Sequence, residues 1–249
     1  MSFIDNFMND VFAFRPVFAL MNFLLGPSQG SFAVFVISCF SVAVMIFVVF
    51  PIRESAQGYM AKYLGDDTAE RNGRLTLNPL VHIDPMGAVM MLFAPFGWGK
   101  PVPVNPARCH RVNARKAVTL IALSGPVANV LLGYVFMVIS KIILLASGQM
   151  TQTLYYVMLA MGIIVQLNVW IAVLNMLPLP QFAGGKILFA YLSPQKYFRF
   201  ISFYTRHQQL ISIGLLFLLI WSYSPLRILL EMITFGLLNL LDLLSKFLG

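Results

Sequence analysis

Charge is what this sequence has least of. Lysine, arginine, aspartate and glutamate make up 10% of its 249 residues, while 59% are apolar and the mean hydropathy is +0.81. A water-soluble domain carries about a quarter charged residues, so that class is excluded. Histidine and cysteine are scarce too. His82, His110 and His207 are scattered along the chain, and the two cysteines lie far apart, Cys39 in an apolar run and Cys109 in a basic stretch. No disulfide framework follows from two such cysteines. Internal repeats and low-complexity tracts are missing, and the start of the sequence lacks a basic leader with a small-residue cleavage site, so no removable signal peptide is expected.

What is present is apolar length. A bilayer core of roughly 30 Å needs about 20 apolar residues per helical span. Ser31 to Phe50, Ala117 to Leu145 and Leu154 to Leu174 meet that need. Leu210 to Trp221 and Leu226 to Leu244 are read as a closing hairpin, turned at Ser222-Tyr223-Ser224-Pro225. The expected fold is therefore all-α and embedded in the membrane. Three regions are expected: an interfacial N-terminal segment over 1–30, a membrane core over 31–207, and a C-terminal transmembrane hairpin over 208–249. Pro51 cannot donate to the carbonyl four residues earlier, which predicts a kink near residue 47 in a helix running on to about Leu64. Met86 to Trp98 is apolar but too short to span, which predicts a segment that is either re-entrant or buried against other helices.

The net charge of +8 would raise nucleic acid as a partner in a soluble protein. Here the charge is concentrated in two polar stretches. Twelve of the 17 lysines and arginines fall within 62–116 and 176–207, and the turn near 146–153 has none. The positive-inside rule places both basic loops in the cytoplasm, facing anionic lipid, and no nucleic-acid surface is expected.

The polar stretches also carry motifs. Arg53-Glu54-Ser55-Ala56-Gln57-Gly58 precedes Gly65-Asp66-Asp67-Thr68-Ala69-Glu70-Arg71, then Gly73-Arg74-Leu75-Thr76-Leu77-Asn78-Pro79-Leu80 and His82-Ile83-Asp84-Pro85. Phe96-Gly97-Trp98-Gly99-Lys100-Pro101-Val102-Pro103-Val104-Asn105-Pro106 follows, then Ser124-Gly125-Pro126 with Asn129, and Asn175-Met176-Leu177-Pro178 leading to Gly184-Gly185. This order, over roughly residues 31–200, resembles the site-2 protease family, the intramembrane zinc metalloproteases. The resemblance implies a helical bundle with a re-entrant segment, a bound zinc, and proteolysis of transmembrane segments. The family's zinc is held by a His-Glu-x-x-His helix, whose histidines share one face, and by an aspartate before the paired glycines. The glutamate is the general base on a zinc-bound water.

All three ligand positions are changed here. Arg53 and Gln57 stand where the histidines belong and Ala183 where the aspartate belongs; the general-base position survives as Glu54. Arginine keeps its proton and repels a dication. Glutamine is a poor zinc ligand and alanine is none. The expectation is a catalytically inactive homologue with no bound zinc, a scaffold that binds or regulates membrane-protein partners. The alternative is an active site-2-type metalloprotease with a rearranged metal site, for which His82, Cys109, His110 and Glu54 are the residues to test. Transport is a third class, with no inverted repeat to support it.

Arg53 at membrane depth needs a partner, and Glu54 and Asp84 are the candidates, with Gln57 within reach of the guanidinium. The resemblance places Asn129, Asn175, His82 and Asp84 along a substrate groove. From the residues alone, Asn129 and Asn175 read equally well as hydrogen-bonded links between helices. Cys109-His110 reads as a surface loop, His207 as the edge of a span, and Ser55 as a packing serine because no base accompanies it. Expected partners are the lipid bilayer and a transmembrane protein segment.

Overall fold

The structure is a computed structural model that describes residues 32–93, 97–147, 149–220 and 224–246. The interfacial segment expected at 1–30 lies outside the described residues. No strand occurs among those described, and four helices are long and apolar enough to cross a membrane: Phe32–Leu64, Ala114–Ser147, Gln152–Leu174 and Pro225–Ser245. The chain is an integral membrane protein of all-α class.

Helix α1, Phe32–Leu64, is not regular throughout. Met45–Val49 forms a π-helical turn in which the Phe50 N–H donates to the Met45 carbonyl. Pro51 explains this, because its missing N–H leaves an acceptor one turn back that a widened turn accommodates. The kink predicted near residue 47 is thus a π turn. It sets the phase of the polar half, Arg53 to Gln57, against the apolar half. The Ser41 hydroxyl donates to Ile37 O at 2.9 Å and also to Ala160 O at 3.3 Å, pinning α1 to the buried helix beside it. Gly65 ends α1 at φ 111°, with Asp66 N donating to Ala61 O. Any side chain at Gly65 would collide with the His110 ring.

Short helices follow: α2 Thr68–Arg71, α3 Pro79–His82 and α4 Pro85–Phe93. Asp66 is fully buried and organises this region, accepting from Thr68 N at 3.0 Å and from Asn105 N at 2.5 Å. Asp84 begins α4 by accepting from Gly87 N at 2.9 Å. The chain leaves at Ile83 and returns at Gly99, which form an antiparallel bridge; Lys100 N donates to His82 O at 2.7 Å. A side chain at Gly87 would overlap the Trp98 carbonyl, so the returning strand lies against α4. Helix α4 thus packs against the chain that returns at Trp98.

Three long helices complete the bundle. They are α5 Ala114–Ser147, α6 Gln152–Leu174 and α9 Pro225–Lys246. Thr151 caps α6, its hydroxyl accepting from Leu154 N at 3.1 Å. Helix α6 is the buried axis, with Ile163, Val169 and Ile171 among its enclosed side chains, packed with Met45, Val49 and Phe50 of α1 and Leu230, Leu238 and Leu241 of α9. Lys141 of α5 pairs with Asp242 of α9 at 2.6 Å and donates to Ser245 Oγ, holding the last helix against the bundle.

The second polar stretch differs from expectation. Rather than a loop, 176–207 holds helix α7, Ala183–Ala190, and the first half of α8, Pro194–Ile220. Ser193 and Pro194 start α8, Tyr197 N donating to Ser193 O at 2.9 Å, and the polar residues of this half lie along exposed faces of the helix. Helix α8 bends at His207, where φ and ψ are −113° and 16°. The apolar arm beyond the bend is only roughly 20 Å of helix. Of the two arms expected for the C-terminal hairpin, α9 has the length and composition of a span among the described residues.

Candidate functional site

Arg53 and Glu54 lie on the polar half of α1, roughly 16 Å of helix from its end at Leu64. Adjacent positions on a helix point apart, yet the long arginine side chain curls back so that its Nη1 meets Glu54 Oε1 at 2.5 Å. The Nη2 donates to Asn175 Oδ1 at 2.8 Å. Asn175 is held for this role at the end of α6, its Nδ2 donating to Ile171 O at 2.8 Å. Both side chains of the ion pair are largely buried, 11% exposed for Arg53 and 4% for Glu54. Gln57 turns toward the carboxylate instead of the guanidinium, its Nε2 lying 3.5 Å from Glu54 Oε2.

Ala183 is brought to the same place by a tight turn. Gly184 N donates to Asn175 O at 2.9 Å, and Phe182 N to Leu179 O at 2.9 Å. Side chains at Gly184 and Gly185 would overlap the carbonyls of Met176 and Leu179, so only glycine allows α7 to start here. Arg53, Glu54, Gln57, Asn175 and Ala183 all line one cavity of about 480 Å³. Its other walls include Trp98 and Gly99 of the returning chain, Ile171 and Leu174 of α6, and Tyr204, Gln208 and Leu216 of α8. Tyr204 donates to Gln181 Oε1 at 2.7 Å, which ties α8 across the turn before α7.

Three residues expected along a groove lie off the cavity. Asn129 is fully buried in α5, and neither atom of its amide has a hydrogen-bond partner among the described residues. His82 is fully buried, with Nε2 2.7 Å from Thr76 O. A carbonyl only accepts, so that nitrogen carries the proton. The same carbonyl accepts from Ser55 Oγ at 2.8 Å, which occupies the serine in a structural bond. Asp84 caps α4 and makes no bond to Arg53. His82 and Asp84 act one step away, by shaping the hairpin that presents Trp98 and Gly99 to the cavity.

Lys186 is the cavity residue that sequence reading passed over as a loop charge. It sits three positions after Ala183, hence on the same helical face, and its side chain lines the cavity. The residue as a whole is exposed, but desolvation around its ammonium holds that group below the usual lysine range; the charge of Glu54 works against that shift and that of Arg53 works with it. Among the described residues, no carboxylate lies within ion-pairing distance of it.

The chain is similar to two curated proteins. One, from Bacillus subtilis (strain 168), is named Putative zinc metalloprotease YwhC and is 36% identical over 149 residues, 59% of this chain and 67% of that protein. Another, from Mycolicibacterium smegmatis, is named Putative zinc metalloprotease Rip2 and is 29% identical over 148 residues, 58% of this chain and 54% of that protein. No family model matches the chain, and no solved structure matches it.

The residues present do not fit a zinc ion. Four-coordinate zinc takes imidazole, thiolate or carboxylate ligands. The three ligand positions and the general-base position offer a guanidinium, an amide whose nitrogen is turned to Glu54, a methyl group, and one carboxylate already engaged by Arg53. Among the described residues, no group of three or more histidines, cysteines, aspartates or glutamates is placed to hold a metal. Cys109 is buried beside Ala61, Leu64 and Ala117, and His110 packs over Gly65.

Proposed function

Because this chain belongs to the site-2 protease family of membrane zinc metalloproteases, we propose that it is a member in which an internal ion pair replaces the catalytic metal, and which holds transmembrane segments of other membrane proteins without cutting them. The observation that carries this reading is the guanidinium of Arg53, bonded at once to Glu54 and Asn175. Zinc in a working site balances the surrounding carboxylates. Here a fixed cation on the chain itself does so, and Glu54 serves as its counter-ion. A general base without an activated water has nothing to deprotonate.

The walls around the pair support a binding role. Glycines 184 and 185, Asn175 and the strand at Trp98 and Gly99 still shape a cavity of ligand size, within the range of roughly 300–1,000 Å³ usual for binding sites. The basic stretches 62–116 and 176–207 support an orientation with both on the cytoplasmic side.

The test is reconstitution of the purified full chain in proteoliposomes with a single-span reporter peptide and added zinc. The reading predicts stable association with an intact reporter and no cleavage products by mass spectrometry. Zinc-dependent cleavage inside the span would defeat it.

A further inference from the structure

We infer that the cavity recognises a transmembrane segment carrying one acidic side chain, with the ammonium of Lys186 as its anchor. This rests on the binding role proposed above and names the chemistry of the partner. The charges within the cavity do not cancel. Arg53 and Glu54 neutralise each other at 2.5 Å, and Lys186, lining the same space, has no carboxylate within ion-pairing distance among the described residues. The start of α7, at Ala183, faces the cavity as well and adds the partial positive charge of a helix N-terminus.

Apart from these groups the walls are mostly apolar: Trp98, Ile171, Leu174, Phe182, Ile213 and Leu216. The complementary occupant is therefore apolar with a single negative charge. A carboxylate is costly in lipid and rare in transmembrane segments, so a cavity cation that accepts one gives strong discrimination. Lys186 also lies near Glu54 without touching it, which disfavours occupants carrying a second anion beside the first.

The test uses the full chain in neutral phosphatidylcholine vesicles with labelled synthetic peptides of about 22 apolar residues. Each peptide carries Asp, Asn or Lys at one of several successive central positions, and association is read by energy transfer. The expected result is that the best Asp peptide binds wild type at least about tenfold tighter than its Asn counterpart. Lys186→Met removes that preference, and Lys186→Glu transfers it to the Lys peptide. The wild-type comparison alone is decisive should the variants fold poorly. Equal binding of Asp and Asn peptides overturns the acidic anchor and leaves the binding role standing. Failure of every peptide overturns both. Lys186-dependent binding of oleate where no peptide binds overturns the inference in favour of a small anionic amphiphile.

Discussion

Arg53 and Asn175 stand 122 residues apart in the chain, yet meet through Nη2 and Oδ1 at 2.8 Å. The bond joins the polar half of α1 to the end of α6, and Glu54 closes it from the other side. A metal site in this position would tie the same elements together by coordination. In this protein hydrogen bonds and one ion pair make the connection.

Removing one member of that pair is therefore costly. Arg53→Met leaves a buried carboxylate unpaired and is expected to destabilise the protein by about 3–5 kcal/mol, because an uncompensated buried charge is expensive. The double variant Arg53→Leu with Glu54→Leu removes both charges and is expected to be far milder. Unfolding in mixed micelles titrated with denaturing detergent compares the two. Equal destabilisation by the single and double variants would deny the coupling.

Restoring donors is expected to restore the metal. The triple variant Arg53→His, Gln57→His, Ala183→Asp places two imidazoles one helical turn apart and a carboxylate across the cavity, as a catalytic zinc requires. Elemental analysis of that variant is expected to find about one zinc per chain. A metal-free triple variant would mean that α7 is not placed where Ala183 meets α1.

Much of this was legible from the sequence and some was not. Apolar runs located α1, α5, α6 and α9, because a span's length is dictated by the bilayer. Pro51 announced a backbone irregularity but not its form, since a missing N–H can be met by a kink or by a widened turn. Gln57 was expected to meet Arg53 and meets Glu54 instead; side-chain direction on a helix with a π turn cannot be read from spacing alone. Lys186 was hidden because it is exposed, as a lysine in a basic stretch is expected to be, and only the start of α7 at Ala183 brings it to the cavity rim. The helices within 176–207 were missed for the same reason, polar residues having been taken for loop.

The turn before α7 depends on glycine. Gly184→Ala pushes a methyl group into the Met176 carbonyl and is expected to cost roughly 1–3 kcal/mol, displacing Lys186 from the cavity and weakening peptide association. Gly73→Ala meets no neighbouring atom within 4 Å but has φ 64°, and is expected to cost about 1 kcal/mol with peptide association unchanged. Thermal denaturation and the energy-transfer assay together separate the two effects.

Acid is expected to weaken the connection between the end of α1 and the chain at Asn105. Burial works to raise the Asp66 carboxyl, but bonds from Thr68 and Asn105 and the charge of Arg108 overcome it and hold the group below the usual carboxylate range. A lowered folded value contributes stability that is full above the unfolded value, near about 3.9, and is lost as pH falls through the folded one. Asp66→Asn is accordingly expected to be less stable than wild type at neutral pH, with the gap narrowing below about pH 4. A gap independent of pH would assign Asp66 a purely steric role.

The central claim is that a fixed cation on the chain has replaced the metal, and the most direct measurement is the metal content of the purified wild-type protein after removal of any affinity tag. The account predicts less than about a tenth of an equivalent of zinc, since guanidinium, amide and methyl groups do not coordinate it. Close to one equivalent, retained through dialysis, would contradict it and direct mutagenesis to His82, Cys109, His110 and Glu54.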